Sequence, residues 1–175
     1  MGHDTVGATR PRSDDRLEIA VRYWLYKNNT KGGPAGYWGD WLADVFPAKA
    51  ASEWGGHYAT MSAEVAGLLD HEMSQGDVVV AYQTDTKSVV GFLRITTITG
   101  PPGDKKLYLR RTYRLPNPFL IHKHKHGTSL ETSAAVKGPV TLRELHDDEM
   151  ADLIRLSGAP RYVLKGGEPA GGYRP

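Results

Sequence analysis

The sequence predicts an α+β fold, a small β-barrel of about five strands with short helices on its flanks. Runs of β-branched and aromatic residues recur at short spacing and are separated by turn-forming residues. The chain has 20 glycines and 11 prolines among its 175 residues, which indicates many turns. Only short segments have the spacing of apolar residues that is typical of helices.

The first three strands are predicted by apolar runs. Ile19–Lys27 is rich in β-branched and aromatic residues, which favours a strand. Val78–Gln83 and Val89–Thr99 are joined by five turn-forming residues, a pattern typical of a β-hairpin. Gly91 lies inside the second of these runs and indicates a bulge or a close approach of another backbone.

Two later segments alternate between apolar and polar residues. Lys105–Leu115 alternates until Pro116, and Phe119–His126 alternates again after Pro118. Because successive side chains of a strand point to opposite faces, both segments are predicted to be strands. The two prolines are expected to interrupt them.

Three helical regions are predicted from apolar spacing and capping residues. Tyr37–Phe46 has an N-cap at Asp40, and Ser62–Met73 begins at a serine that can cap its first turn. In the last region, Thr141–Glu144 has the sequence of a capping box. Asp147–Gly158 follows, with acidic residues at its start and a glycine at its end.

Length and composition predict one domain, residues 17–164, between a flexible N-terminal arm, 1–16, and a Gly/Pro-rich tail, 165–175. The absence of cysteine excludes disulfides, thiolate metal sites and a cysteine nucleophile. No apolar run reaches the about 18 residues of a membrane helix, so no membrane partner is expected. The first 16 residues lack the apolar segment of a secretory signal, and a cytoplasmic protein is expected.

Three stretches in this order resemble the pattern of EVE domains. Tyr23–Lys27 is similar to the aromatic-rich first strand of that family, and Glu53–Gly56 is similar to its Trp-x-Gly segment. Gly76–Tyr82 followed by Val89–Arg94 is similar to its hairpin. The family belongs to the PUA-like superfamily, to which YTH and ASCH domains also belong.

The resemblance implies a PUA-like small β-barrel of about five to six strands with flanking short helices. It also implies a pocket for a modified base, a modified cytosine above all, flipped out of DNA or RNA. Because such domains often accompany restriction modules, a restriction nuclease component is a possible partner. No cofactor and no metal are expected.

An aromatic pocket needs flat walls, because stacking contributes about 1–3 kcal/mol per base. Tryptophans near the first strand fit this role, although Trp24 and Trp38 fit core packing as well. Asparagine amides can pair with base edges, although they are also common in turns. The predicted pocket residues are Trp24, Lys27, Asn28, Asn29, Trp38, Trp54, Gly56, His57, Tyr58 and Tyr82.

Residues 101–127 carry seven lysines and arginines against the single acid Asp104, a local charge of +6, whereas the whole chain is +2. This asymmetry predicts a surface that contacts phosphates. The alternative is a solvated strand face whose charge protects a sheet edge. The predicted phosphate-binding residues are Lys105, Lys106, Arg110, Arg111, Arg114, Lys123 and Lys125.

Two other functions remain open. An ASCH-like ribonuclease could use Lys27, His57 or the histidines at 122, 124 and 126, which share a face if that segment is a strand. A protein-interaction scaffold could use the tryptophan-rich surface. No phosphate loop, HExxH motif or serine elbow occurs, so a binding module without catalysis of its own is the main prediction.

Overall fold

The computed structural model of the protein describes residues 20–31, 39–48, 51–53 and 62–165. These residues contain one sheet of six strands in the spatial order β2-β5-β4-β3-β1-β6. The strands are β1 (Tyr23–Asn28), β2 (Ser52–Glu53), β3 (Val78–Gln83), β4 (Ser88–Thr99), β5 (Lys106–Phe119) and β6 (Leu142–Leu145).

The sheet is mixed. β1 and β3 are parallel, because the chain crosses over between them through the first helices, and all other neighbouring strands are antiparallel. The predicted hairpin of β3 and β4 is confirmed. The α+β class and the strand number are as expected, while the ladder of described strands is open at β2 and β6 and does not close into a barrel.

The helical segments are short. They are α1 (Ala63–Gly67), α2 (Ile121–His124), α3 (Ala134–Lys137) and α4 (Asp147–Ser157), with single wider turns at Trp41–Val45 and Leu68–Glu72 and 3₁₀ turns at Ser129–Glu131 and Arg161–Lys165. None of the helices in the described ranges has the length and apolarity needed to cross a membrane.

The predicted caps are present. The Asp40 carboxylate accepts from the backbone N–H of Leu42, and Ser62 Oγ accepts from that of Val65. The glycine that ends α4, Gly158, has φ +72°, a conformation that favours glycine at a helix C-terminus.

The sheet has a hydrophobic core on each face, because the side chains of each strand alternate. Leu25 and Val80 belong to one core, and Tyr26 and Val79 belong to the other. The Tyr26 face is covered by α1 and the turns around it, and the Leu25 face by α2, α3 and α4. The largest side chains of the Tyr26 face are Trp24, Tyr26, Trp41, Phe46, Leu93, Ile95, Leu107 and Leu109.

β5 runs through Pro116 and Pro118, contrary to the predicted interruption. The register passes from Gly91 opposite Arg114 directly to Val89 opposite Phe119. The prolines therefore lie in a bulge, where the missing N–H groups break no ladder hydrogen bond.

The predicted strand Phe119–His126 is wrong. β5 ends at Phe119, and the chain turns into α2, whose residue Ile121 is buried in the core. The alternation continues beyond Ile121 only as histidine and lysine, so an extended strand would have no apolar side chain left to bury.

The predicted helix start at Thr141–Glu144 is also wrong. Leu142–Leu145 forms β6, which pairs antiparallel with the outer edge of β1. Pairing with β1 buries Leu142 and Leu145 and overrides the local capping pattern. A capping box does occur at α4, where the carboxylate of Glu149 accepts from the backbone N–H of His146.

The predicted arm, 1–16, lies outside the described residues, and so does the predicted tail beyond residue 165.

Candidate nucleic-acid interface

Asn28 ends β1 with a buried side chain that is only half satisfied. Its Nδ2 donates to the carbonyl of Gly39 at 2.6 Å, while its Oδ1 has no hydrogen-bond partner among the described residues. Gln83, opposite Asn28 in β3, donates to the same carbonyl and accepts from the backbone N–H of Trp41. Asn28 therefore offers a buried acceptor, while the described donors beside it, the Gln83 amide and the Trp41 N–H, already have acceptors.

The loop after β1 is tied to the β3–β4 hairpin. The backbone N–H and the hydroxyl of Thr30 both donate to Asp85, at 2.7 and 2.6 Å. These hydrogen bonds, the hydroxyl's above all, hold the pKa of Asp85 below its ordinary value. Asn29 Oδ1 accepts from the N–H of Lys31, which is the turn geometry considered as the alternative to base recognition.

Lys27 and Tyr82 are neighbours in the β1–β3 register. The Lys27 ammonium donates to the carbonyls of Val136 and Gly138, and burial, reinforced by Arg143, lowers its pKa. Burial raises the pKa of the half-buried Tyr82 phenol. This pair lies on the sheet face opposite Asn28, so the predicted pocket residues of β1 and β3 do not share one face.

Trp24 belongs to the core. Its side chain is 0% exposed, and its indole N–H donates to Asp77 at 2.9 Å. An indole enclosed in this way has no open face for a base, so the interpretation as a pocket wall is corrected to core packing. The remaining predicted pocket residues lie outside the described residues: Trp38, Trp54, Gly56, His57 and Tyr58.

The predicted phosphate-binding residues do not share one surface. Lys105 donates to the backbone carbonyl of Asp70 at 3.2 Å, and Arg111 donates to that of Phe46 at 2.9 Å. Three other predicted phosphate-binding residues are exposed on β5, namely Lys106, Arg110 and Arg114.

The last two predicted phosphate ligands, Lys123 and Lys125, lie in and after α2, beyond the end of β5. β5 is 14 residues long, and a strand advances about 3.3 Å per residue. The basic segment is therefore spread along the whole strand and around its end.

One basic residue of this region was missed by sequence reasoning. Arg94 lies on β4, directly opposite Arg110 on β5, and both are exposed. They border a groove of about 490 Å³. The groove is lined by Gln75, Arg94, Ile95, Thr96, Arg110, Arg111 and Thr112. A sum of charges over residues 101–127 leaves Arg94 out, because Arg94 precedes that segment in the sequence. Pairing the second strand of the predicted hairpin with the next strand would have placed Arg94 beside the basic segment.

The three histidines do not share a strand face, because α2 replaces the strand. His124 stacks on Phe119 with ring centroids 5.3 Å apart, and His126 Nδ1 lies 2.8 Å from the carboxylate of Glu131. His122 is exposed in α2.

Neither a protein-family model nor a curated protein sequence matches the chain. Solved structures do. Human THYN1 in complex with 5-methylcytosine-containing DNA is 11% identical, with a TM-score of 0.62 over 80% of this chain and 99% of that chain. A protein from Agrobacterium tumefaciens is 20% identical, with a TM-score of 0.59 over 80% of this chain and 97% of that chain.

The DUF55 domain of human thymocyte nuclear protein 1 is 12% identical, with a TM-score of 0.57 over 79% of this chain and 99% of that chain. The matches thus span nearly all of each neighbour. The chain therefore has the fold that these structures share, and this likeness agrees with the fold that the sequence resemblance implies.

Proposed function

We propose that this EVE-type chain is a nucleic-acid-binding module that recognises a modified cytosine flipped out of DNA or RNA. The observation that carries the proposal is its likeness to the complex of human THYN1 with 5-methylcytosine-containing DNA, which extends over 80% of this chain. The sequence resemblance to EVE domains and the shared fold both support the proposal. Recognition of a modified base by this chain is what the experiment below tests.

The chemistry of Asn28 supports a cytosine. Cytosine presents its exocyclic amine as a hydrogen-bond donor, whereas thymine and uracil present a carbonyl oxygen at that position. The unpartnered Oδ1 of Asn28 is an acceptor. An amine brought to it would satisfy a buried polar atom, which otherwise costs about 1–3 kcal/mol.

The aromatic walls of the proposed pocket come from Trp38, Trp54 and Tyr58. Gly56 would allow close approach of the ligand to the backbone, and His57 lies between that glycine and Tyr58 in the sequence. Extruding a base costs a few kcal/mol, so stacking on these rings must offset that cost together with phosphate contacts.

The contacts of two of the candidate catalytic residues favour binding over hydrolysis. The Lys27 ammonium is engaged by two backbone carbonyls, and His126 by Glu131. We therefore propose a module without catalysis of its own. A nuclease that cuts the bound strand would be a separate component, and a restriction nuclease remains the proposed partner in a cytoplasmic setting.

The test is fluorescence anisotropy with labelled oligonucleotides that contain either cytosine or one 5-methylcytosine, as duplex DNA, single-stranded DNA and RNA, at two salt concentrations. We expect tighter binding of the methylated form and weaker binding at the higher salt concentration. Asn28→Ala is expected to lower affinity for the methylated strand about tenfold.

Asn117→Ala is the matched control, because Asn117 is exposed in the bulge of β5. It should bind like the wild type. Thermal melting of both variants separates a binding defect from loss of the fold. Equal, salt-insensitive affinity of the wild type for all oligonucleotides would contradict the proposal.

A further inference from the structure

We propose that Gln83 is a positioning residue that fixes the direction of the Asn28 amide, so that the site accepts a base with a hydrogen-bond donor and rejects one with an acceptor. This inference rests on the proposed function and deepens it, because it names the residue that lets the pocket distinguish 5-methylcytosine from thymine. The two bases carry the same methyl group. They differ along the pairing edge, where cytosine presents an amine and thymine presents a carbonyl oxygen.

The side-chain amide of Gln83 can point only one way. Its Oε1 accepts from the backbone N–H of Trp41 at 3.2 Å, and its Nε2 donates to the backbone carbonyl of Gly39 at 3.2 Å. The same nitrogen donates to the carboxylate of Asp85 at 3.2 Å. Because an N–H cannot accept and a carbonyl or carboxylate oxygen cannot donate, exchanging the two ends of the amide would break all three hydrogen bonds.

Gln83 and Asn28 are both enclosed. Gln83 is 5% exposed at the end of β3, and its register partner in β1, Asn28, is 2% exposed. Little water reaches these two amides, so each lost hydrogen bond would leave a buried polar atom unsatisfied. The direction that their partners impose is therefore strongly favoured over the reversed one.

The carbonyl of Gly39 carries this direction over to Asn28. It accepts from Gln83 and also from Asn28 Nδ2, the latter at 2.6 Å, and a carbonyl oxygen has two lone pairs. Turning the Asn28 amide over would bring its oxygen against the oxygen of Gly39. The Asn28 nitrogen is therefore held on the Gly39 side, and Oδ1 lies on the other side, where no described residue donates to it.

Gln83 determines the direction of that carbonyl, because it bonds the segment twice, at the carbonyl of Gly39 and at the N–H of Trp41. Two other hydrogen bonds attach the same segment. The Gly39 N–H donates to the carbonyl of Asn29 at 2.7 Å. The Trp41 indole donates to the carbonyl of Tyr82 at 3.2 Å. Removal of the Gln83 amide should therefore release the direction of the carbonyl while the segment stays attached.

A fixed Oδ1 on Asn28 selects between the two bases. The amine of 5-methylcytosine can donate to this oxygen, whereas the carbonyl of thymine would place a second acceptor against it. An asparagine amide that is free to turn can present its oxygen to one base and its nitrogen to the other. Preference for cytosine therefore needs the fixed direction of Asn28 as well as its position.

The experiment compares single-stranded oligonucleotides of adenine that carry one 5-methylcytosine or one thymine at the same position. Single strands are used because the two bases pair with different partners in a duplex. Fluorescence anisotropy gives the affinities of the wild type, Gln83→Met and Asn117→Met. Methionine has nearly the shape of glutamine without its amide, and Asn117→Met removes an amide that is exposed in the bulge of β5.

The wild type and Asn117→Met should bind the methylcytosine strand about tenfold more tightly than the thymine strand, and Gln83→Met less than about threefold more tightly. A purely structural role of Gln83 would weaken binding of both strands by the same factor. A ratio in Gln83→Met equal to that of the wild type would therefore overturn the proposal.

A double variant tests whether Gln83 acts through Asn28. In an Asn28→Ala background, Gln83→Met should change the ratio of the two affinities no further, and a further fall would overturn the proposal. If thermal melting shows that Gln83→Met is unfolded, Gln83→Glu at alkaline pH takes its place. The glutamate keeps an acceptor for the N–H of Trp41, but its carboxylate cannot donate to Gly39, so the same fall in the ratio is expected.

The wild type alone separates this inference from the proposed function. A wild type that prefers 5-methylcytosine to cytosine but binds thymine equally well would overturn the role of Gln83 and leave the proposed function intact. A wild type that distinguishes 5-methylcytosine from thymine but not from cytosine would overturn recognition of the modification and retain the fixed amide. A wild type that binds none of the strands would overturn both.

Discussion

Two arginines of this protein, Arg22 and Arg94, show the same side chain used in opposite ways. Arg22 precedes β1 and donates two parallel hydrogen bonds to the carboxylate of Glu144, at 2.6 and 2.7 Å. It donates a third, at 2.8 Å, to the carboxylate of Glu72. Arg94 instead faces Arg110 across two strands in a groove without a described acidic lining residue.

The difference shows which positive charges are neutralised by ion pairs within the fold. The hydrogen bonds from Arg22 hold the pKa of Glu144 below its ordinary value and raise the pKa of Arg22. Arg22 also lies over the ring of Trp24, 4.9 Å from its centroid. Its charge is neutralised within the molecule, whereas Arg94 is exposed beside a groove in which none of the described lining residues is acidic.

Asp77 anchors the Arg22 region and gives the largest expected effect. This carboxylate is 2% exposed and accepts from the backbone N–H of Arg22, the indole of Trp24 and the backbone N–H of Ser74. Asp77→Ala leaves three donors without their acceptor and should lower the free energy of unfolding by about 3 kcal/mol or more, measured by urea denaturation.

Asp104→Ala is the control for that variant, because Asp104 is exposed in the turn before β5. Its free energy of unfolding should change by less than about 0.5 kcal/mol. A similar small change in Asp77→Ala would mean that the Arg22 region is not organised by this carboxylate. Arg22 and Arg94 would then no longer differ in what their surroundings contribute to the fold.

The direct exchange of roles between the two arginines has an intermediate effect. Arg22→Gln should lower the free energy of unfolding by about 1 kcal/mol, a value discounted for solvent because the side chain is 34% exposed. Arg94→Gln should change the free energy of unfolding by less than about 0.5 kcal/mol, because the Arg94 side chain is exposed at the surface. Urea denaturation of both variants measures this difference.

Nucleic-acid binding should not depend on Arg22. Arg22→Gln is expected to keep the nucleic-acid affinity of the wild type, because the fold already neutralises the charge that it removes. An Arg22 variant that loses affinity in its folded form, or an Arg94 variant that loses about 1 kcal/mol of stability, would remove the distinction between the two arginines.

The sequence predicts the strands whose own residues make the core. β3 is predicted to the residue and β4 to within one residue, because five of the six residues of β3 and the first six of β4 are buried and the turn between them is locally encoded. α4 has its acidic start and glycine end in the sequence. In these elements local preference and tertiary packing agree.

The elements that were wrong depend on distant partners. β6 is a strand because the edge of β1, more than a hundred residues earlier, lacks a partner, and nothing in Thr141–Glu144 reports that edge. The helical turn of α2 similarly depends on where Ile121 can be buried. Local signals lost to tertiary contacts in both places.

The candidate site follows the same rule. The excess charge of residues 101–127 is visible in composition, but Arg94 joins it only through the β4–β5 register. Trp24 has the residue type of a stacking wall, but it is buried in the core, where its indole donates to Asp77, 53 positions away. Residue type suggested the chemistry, while the contacts decided which residues are available for it.

The smallest expected effect on stability is that of Asp152, whose negative charge is neutralised at the surface. It accepts from the backbone N–H and hydroxyl of Ser129, at 2.9 and 2.7 Å, and from Arg155 at 2.7 Å. These bonds, that from Arg155 above all, lower its pKa to about 2. Because Asp152 is at the surface, Asp152→Asn should lower the free energy of unfolding at pH 7 by less than about 1 kcal/mol.

The sign of the pH dependence follows from the depressed pKa of Asp152. Its contribution is fully present above the unfolded value of about 3.9 and is lost as the pH falls through about 2. Urea denaturation of the wild type and Asp152→Asn should therefore give free energies that differ at pH 7 and converge near pH 2. A difference that persists near pH 2 would mean that Asp152 stabilises the fold through its shape and not through its charge. Asp152 would then differ from Arg22, whose charge is neutralised by ion pairs within the fold.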